Sequence, residues 1–221
     1  MLRKALAFAV GFGLLSSVSA LDMSAGVTGF FNSDFGGGYM SLKNDYGSYS
    51  VPWMGAGFGA FFDASYAEVS LGFTFSNGKD VAKDKDGKKE KDFEQDPFSV
   101  TYLNLSLLGK YPIDLGSMVV FPAVGFDYAI GLSGKEDGKD MFKDQDEDEK
   151  KYSATDMSQF WIKFGGGMDY GLSEAIFLRA KLLYGIGFAS KIASDEVKDY
   201  KETDNMLSHG LQVGVGVGFK F

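Results

Sequence analysis

The last fourteen residues, Ser208–Phe221, read SHGLQVGVGVGFKF and alternate between two kinds of side chain. One set is apolar throughout: Leu211, Val213, Val215, Val217, Phe219 and Phe221. The other set is mostly glycine: Gly210, Gln212, Gly214, Gly216, Gly218 and Lys220. Because successive side chains of an extended chain point to opposite faces, this period of two predicts a β-strand with one apolar face.

The glycine-rich face of this strand indicates the environment in which it lies. A sheet in water exposes a polar face, and such a face is not usually bare glycine. A membrane barrel turns its apolar face to lipid and packs the other face into a narrow lumen, where glycine leaves room for neighbouring side chains. The pattern therefore favours a strand of a membrane barrel.

This closing strand, which ends on Phe221, resembles that of the small outer-membrane β-barrels of double-membraned bacteria, the OmpA/OmpX-type and OmpW-type families. The resemblance implies that Val215, Val217, Phe219 and Phe221 form the insertion signal read by the barrel-assembly machinery. It also implies a monomer in outer-membrane lipid, with extracellular loops and both termini in the periplasm. Since no segment resembles the peptidoglycan-binding domain of full OmpA-type proteins, the resemblance does not imply anchoring to the cell wall.

Seven further segments show the same alternation. They are Leu21–Phe31, Met54–Phe62, Ala67–Phe75, Ser99–Tyr111, Met118–Tyr128, Phe160–Tyr170 and Ile176–Gly187. The links after the second, fourth and sixth segments are short, whereas long polar links span about residues 32–53, 77–98, 133–158 and 189–207. Alternating turn and loop lengths are typical of outer-membrane barrels.

The predicted fold is therefore all-β, an eight-stranded antiparallel up-and-down transmembrane barrel with long extracellular loops. Ten strands are the alternative, if Gly38 to Leu42 begin a further hairpin. Pro122 faces outward and lacks an N–H, so we expect a bulge or kink there. A lipocalin-like soluble barrel is the competing fold, but it would place apolar residues inside and charges outside.

Residues 1–20 have the features of a secretory signal peptide, which leaves residues 21–221 as the barrel. Arg3 and Lys4 precede an apolar run that is too short for a membrane helix, and Val18-Ser19-Ala20 offers a cleavage site. Cleavage changes the formal net charge from −8 to −10. An acidic protein of this kind is not expected to bind nucleic acid.

Charged residues of both signs fall on the predicted inner face. They are Glu68, Asp127 and Asp169, with Lys110, Lys163, Arg179, Lys181 and Lys220. Eight strands leave an interior just wide enough for side chains to fill, and charges there are costly unless paired. The interior is thus either a lumen packed with salt bridges or a narrow pore lined by these groups. We expect Asp169, at the end of its strand, to contact Arg179 or the adjacent Lys181, with Glu68 joining from across the barrel.

The sequence offers little for catalysis or cofactor binding. His209 is the single histidine, and an enzyme would need it to act with Ser208 and a loop acid such as Asp195 or Asp204. The absence of cysteine excludes thiolate metal sites, and no phosphate-binding loop is present. The acidic run from Asp144 to Glu149 lacks the glycine of an EF-hand and suggests only weak attraction of divalent ions. We therefore expect no enzyme activity, cofactor or dedicated metal site.

The leading function is that of an integral outer-membrane protein whose exposed loops act in surface contact or envelope integrity, with an extracellular ligand as candidate partner. The first alternative is a narrow channel for small solutes, including apolar ones, as the OmpW-type resemblance implies. The second alternative is an outer-membrane enzyme that uses His209.

Overall fold

The computed structural model describes residues 22–42, 47–78, 81–83, 97–142, 153–188 and 207–221. Eight long antiparallel strands form a closed barrel, in which each strand pairs with its sequence neighbours and the last pairs with the first. The strands are β1 Met23–Leu42, β2 Gly47–Ala64, β3 Ala67–Gly78, β4 Phe98–Lys110, β5 Met118–Glu136, β6 Gln159–Gly171, β7 Ile176–Phe188 and β8 Leu207–Lys220. The predicted eight-stranded antiparallel barrel is confirmed.

The minor elements lie at the ends of the barrel. Short strands Val81–Lys83, Ile113–Asp114 and Lys139–Asp140 pair with the ends of β2 or β5. One turn of 3-10 helix, Ala154–Met157, precedes β6. Within the described residues, no helix is long and apolar enough to cross a membrane.

The alternation in sequence sets which side chains enter the barrel. In β8, Gly218 lies opposite Gly26 and Phe177 on the inner face. Leu182 is 56% exposed on the outer face of β7, whereas its neighbour Leu183 is buried. The same division holds along the other strands, so the predicted faces agree with the structure.

The predicted first long loop is wrong, because β1 and β2 continue through most of it. Only residues 43–46 separate Leu42 from Gly47, and the two strands pair up to that point with two register shifts. Gly38 to Leu42 therefore extend β1 instead of starting a ninth and tenth strand. Backbone pairing between β1 and β2 thus continues beyond the region where the side chains alternate between apolar and polar.

The bulge expected at Pro122 is also absent. Pro122 lies opposite Gly166 of β6 in an unbroken register, and the register shift of β5 occurs farther on, near Leu132. The Pro122 carbonyl accepts a hydrogen bond from the Tyr111 amide, 3.1 Å away and just past the end of β4. The N–H that proline lacks would have pointed to the end of the β4–β5 hydrogen-bond ladder. Its absence therefore removes at most one hydrogen bond between these strands.

Both ends of the described chain lie at one end of the barrel, which we call the terminal end. The Phe221 amide donates to the Met23 carbonyl at 3.1 Å, and the turn at Ser65 contacts Asp22 there. The links after β2, β4 and β6 are at this end and are short. The links after β1, β3, β5 and β7 are at the opposite end, which we call the loop end.

Candidate functional site

The barrel interior near the terminal end contains six charged side chains that we call the Arg179 cluster. Its members are Asp63, Glu68, Lys110, Asp169, Arg179 and Lys181. They come from β2, β3, β4, β6 and β7, so the closed barrel brings together residues that are far apart in sequence. The three carboxylates balance the three cations.

Arg179 is the centre of this cluster and is 3% exposed. Its Nε and Nη2 donate to the two carboxylate oxygens of Asp169, each at 2.6 Å. Nη1 donates to Glu68 at 2.7 Å, and Nη2 also donates to Asp63 at 2.8 Å. Such charge-assisted, partly bidentate bonds fix the plane of the guanidinium group. The contact that the sequence predicts between Asp169 and Arg179 is present.

Two lysines complete the cluster. Lys181 Nζ lies 2.5 Å from Glu68 Oε1, and Lys110 Nζ pairs with Asp63. Asp63 is buried and was missed by sequence reasoning, which ended the second strand at Phe62. The signal was available, because continuing the alternation by two residues from inward-facing Phe61 places Asp63 in the lumen.

Aromatic rings surround the Arg179 guanidinium. Its central carbon lies 4.4 Å from the ring centre of Phe61, 5.2 Å from that of Phe177 and 5.3 Å from that of Phe121. Phe177 and Phe121 are buried inside the barrel. The rings stabilise the guanidinium cation by cation–π attraction, and their exclusion of water strengthens its ion pairs with the carboxylates.

A second polar group lies at mid-barrel around the Asp127–Lys163 ion pair, with 2.5 Å between Nζ and the carboxylate. Ser106 Oγ donates to Asp127 at 3.0 Å, and Lys163 also donates to Gln212 at 3.3 Å. Asn104 joins this group through the other Asp127 oxygen at 3.4 Å. These residues lie on four different strands, so the pair ties the barrel walls together.

Within the described part of the chain, three cavities can be followed along the barrel axis. A vestibule of about 410 Å³ opens at the terminal end, and the Arg179 cluster forms its floor. Beyond the cluster is a middle cavity of about 30 Å³, which Lys181 and Lys163 both line. A further cavity of about 40 Å³, which we call the outer chamber, lies on the loop-end side of Asp127 and Lys163, and both of these residues line it. The cluster therefore separates the vestibule from the two smaller cavities.

The remaining predicted residues lie elsewhere. Lys220 lines the vestibule and is exposed, with its ammonium 5.9 Å from the Phe177 ring centre. It therefore lies at the mouth and outside the cluster. The predicted insertion-signal residues all point outward from the barrel, exposed to different degrees: Val215, Val217, Phe219 and Phe221.

His209 lies on the outer face of β8 near the loop end. Its Nδ1 is 2.7 Å from the hydroxyl of Tyr184, and the two rings are adjacent. Strand alternation turns the neighbouring Ser208 to the inner face, so the structure does not bring Ser208 and His209 together. Asp195 and Asp204 lie outside the described residues.

No group of three or more histidine, cysteine or acidic side chains suited to a metal ion occurs in the described ranges. The acidic run from Asp144 to Glu149 and the predicted signal peptide, residues 1–20, both lie outside these ranges.

No protein-family model matches the chain, and no curated protein matches it either. Similar solved structures include the outer membrane protein OprG of Pseudomonas aeruginosa, at 13% identity, 91% coverage of this chain, 96% of that chain, and TM-score 0.46. Neisserial surface protein A is 14% identical over 90% of this chain and 97% of its own chain, with a TM-score of 0.46. Ail of Yersinia pestis, solved with a heparin analogue, has 10% identity, 91% and 100% coverage, and TM-score 0.36. At these values the fold assignment rests on the strand pairing of this chain itself.

Proposed function

We propose that this chain is an integral β-barrel of the bacterial outer membrane whose interior is closed to ion flow. Its role is surface contact or envelope integrity through the loop end, with outer-membrane lipid as its permanent environment. The observation that carries this proposal is the Arg179 cluster, which fills the lumen with mutually paired charges between the vestibule and the middle cavity.

The outer surface supports a membrane location. Large apolar side chains cover it on all sides, for example Phe58, Leu105, Phe126, Leu182 and Val215, which is 64% exposed. On β8 this face runs from Leu211 to Phe221, which at a strand tilt of about 40° spans roughly 25 Å, the height of the apolar band in outer-membrane barrels. A continuous apolar surface of this size would cause aggregation in water.

Closure of the interior supports a role other than conduction. Ions crossing the barrel would have to break the bonds between Arg179 and three carboxylates in a layer lined by aromatic rings. Each broken pair would leave an uncompensated buried charge, which is strongly unfavourable. The ion pairs therefore act as a structural barrier.

A solute channel is the rival function, and it requires that the Arg179 cluster opens. Catalysis by His209 is the second alternative, and within the described residues its side-chain hydrogen-bond partner is Tyr184. Conductance distinguishes the closed barrel from a channel.

Topology labelling in whole cells tests the membrane location and orientation. A short epitope tag inserted in the turn at Asp137 and Gly138, at the loop end, should bind antibody on intact cells. A matched tag in the turn from Leu172 to Glu174, at the terminal end, should bind antibody only after the outer membrane is permeabilised. Equal access to both tags on intact cells, or access to neither after permeabilisation, would contradict the proposal.

A further inference from the structure

The outer chamber contains an acidic side chain that takes no part in the ion pairs described above. Asp34, on the inner face of β1, lines this cavity. In the described part of the chain its carboxylate has neither an ion pair nor a hydrogen bond. Gly210 lies opposite Asp34 in β8, and a side chain there would overlap the carboxylate, so the glycine makes room for it.

A second unsatisfied acceptor lines the same chamber. The Oδ1 atom of Asn32 is buried and accepts no hydrogen bond. Asn32 and Asp34 are two residues apart on one face of β1, so their Cβ atoms are about 7 Å apart and both side chains reach the cavity. A buried acceptor without a partner costs free energy, as does a carboxylate without a counter-charge.

Among the described residues that line the chamber, the charges are not balanced. They include two carboxylates, Asp34 and Asp127, but one ammonium, Lys163. Lys163 directly contacts Asp127 and Gln212 and forms no ion pair with Asp34, which it attracts only at longer range. One positive charge would neutralise the chamber, whereas water alone would satisfy Asn32 and leave Asp34 without a counter-charge in contact with it.

We propose that the outer chamber binds one small monovalent cation, of the size of Na⁺ or K⁺, through the Asp34 carboxylate and Asn32 Oδ1. The volume of about 40 Å³ holds about three water-sized particles, which suits an ion with two waters. A divalent ion would need more oxygen ligands and more negative charge than one free carboxylate supplies. This inference concerns the half of the lumen beyond the Arg179 cluster and does not depend on whether the barrel conducts.

Stability in lipid vesicles tests the proposal through linkage between binding and folding. Urea unfolding is measured at fixed pH and ionic strength while NaCl is replaced stepwise by the chloride of N-methyl-D-glucamine, a cation too large for the chamber. Above the dissociation constant, each tenfold rise in Na⁺ should lower the unfolding equilibrium constant about tenfold. Asp34→Asn should abolish this dependence, and the exposed-turn control Asp137→Asn should retain it.

Two further measurements keep the test decisive if Asp34→Asn fails to fold. Gly210→Ala, which places a methyl group where the carboxylate lies, should weaken the Na⁺ dependence without changing any charge. The relaxation of sodium NMR signals should show that Na⁺ binds to the wild type. Added K⁺ should displace this Na⁺ and remove the effect on relaxation. The proposal is overturned if wild-type stability does not depend on cation identity, or if the dependence persists unchanged in Asp34→Asn. It is also overturned if stability responds to pH alone, since a proton would then neutralise Asp34.

Discussion

Arg179 makes the largest set of charged contacts inside the barrel, with carboxylates from β2, β3 and β6. Arg179→Ala leaves three carboxylates, of which Asp63 and Glu68 are buried, with two lysines, and should lower the free energy of unfolding by about 3–5 kcal/mol. Arg179→Lys keeps the positive charge but loses the planar guanidinium group and its paired hydrogen bonds. Its free energy of unfolding should therefore fall by less than that of Arg179→Ala. Urea unfolding in vesicles measures both changes. Lys139→Ala, at an exposed turn, is the control and should be nearly neutral; an equally neutral Arg179→Ala would contradict the role given to the cluster.

Leu182 tests which face of a strand contacts lipid. It lies mid-way along β7 on the outer surface. Leu182→Arg should lower the free energy of unfolding by about 2–4 kcal/mol if the position is near the bilayer midplane. Leu172→Arg, in a turn at the terminal end, should lower it by only about 0–1 kcal/mol. The measurement is the same unfolding assay, and equal costs at the two positions would reverse the assignment of the lipid-facing belt.

At the scale of the strand, the glycine-rich inner face of β8 leaves space for aromatic rings. A side chain at Gly218 would overlap the buried ring of Phe177. Gly218→Ala should therefore destabilise the barrel by about 1–3 kcal/mol through overpacking. Gly109→Ala is the control, because its Cβ would lie 3.6 Å from the Val124 carbonyl oxygen, an ordinary contact. Equal stability of the two variants would show that the inner glycines are not needed for packing.

The outward residues at the end of β8 lead to a prediction about assembly. Phe221 lies next to Phe62, with ring centres 6.3 Å apart, and its amide closes the barrel against Met23. Deleting Phe221 should reduce the amount of heat-modifiable, membrane-embedded protein in cells, whereas Phe221→Tyr should preserve it. Normal assembly after the deletion would argue against an insertion signal at this position.

The strands also show what the sequence predicts and what it does not. Period-two alternation fixes the face of each side chain, so the apolar outer belt and the inward position of Arg179 are predictable from the sequence. Strand ends were not, because Gly36 to Gly38 carry no apolar alternation and β1 continues there through backbone pairing. The convergence of Asp63, Glu68 and Asp169 on Arg179 depends on barrel closure and diameter, which local patterns do not contain.

For the whole molecule, we propose that the Arg179 cluster closes the barrel to ions. Conductance of the purified protein in planar lipid bilayers measures this closure. The wild type should show no unitary conductance above the lipid background, and Arg179→Ala should raise it, while the exposed-turn control Lys139→Ala should behave as the wild type. A stable open conductance in the wild type, unchanged by Arg179→Ala, would show that the cluster does not close the barrel.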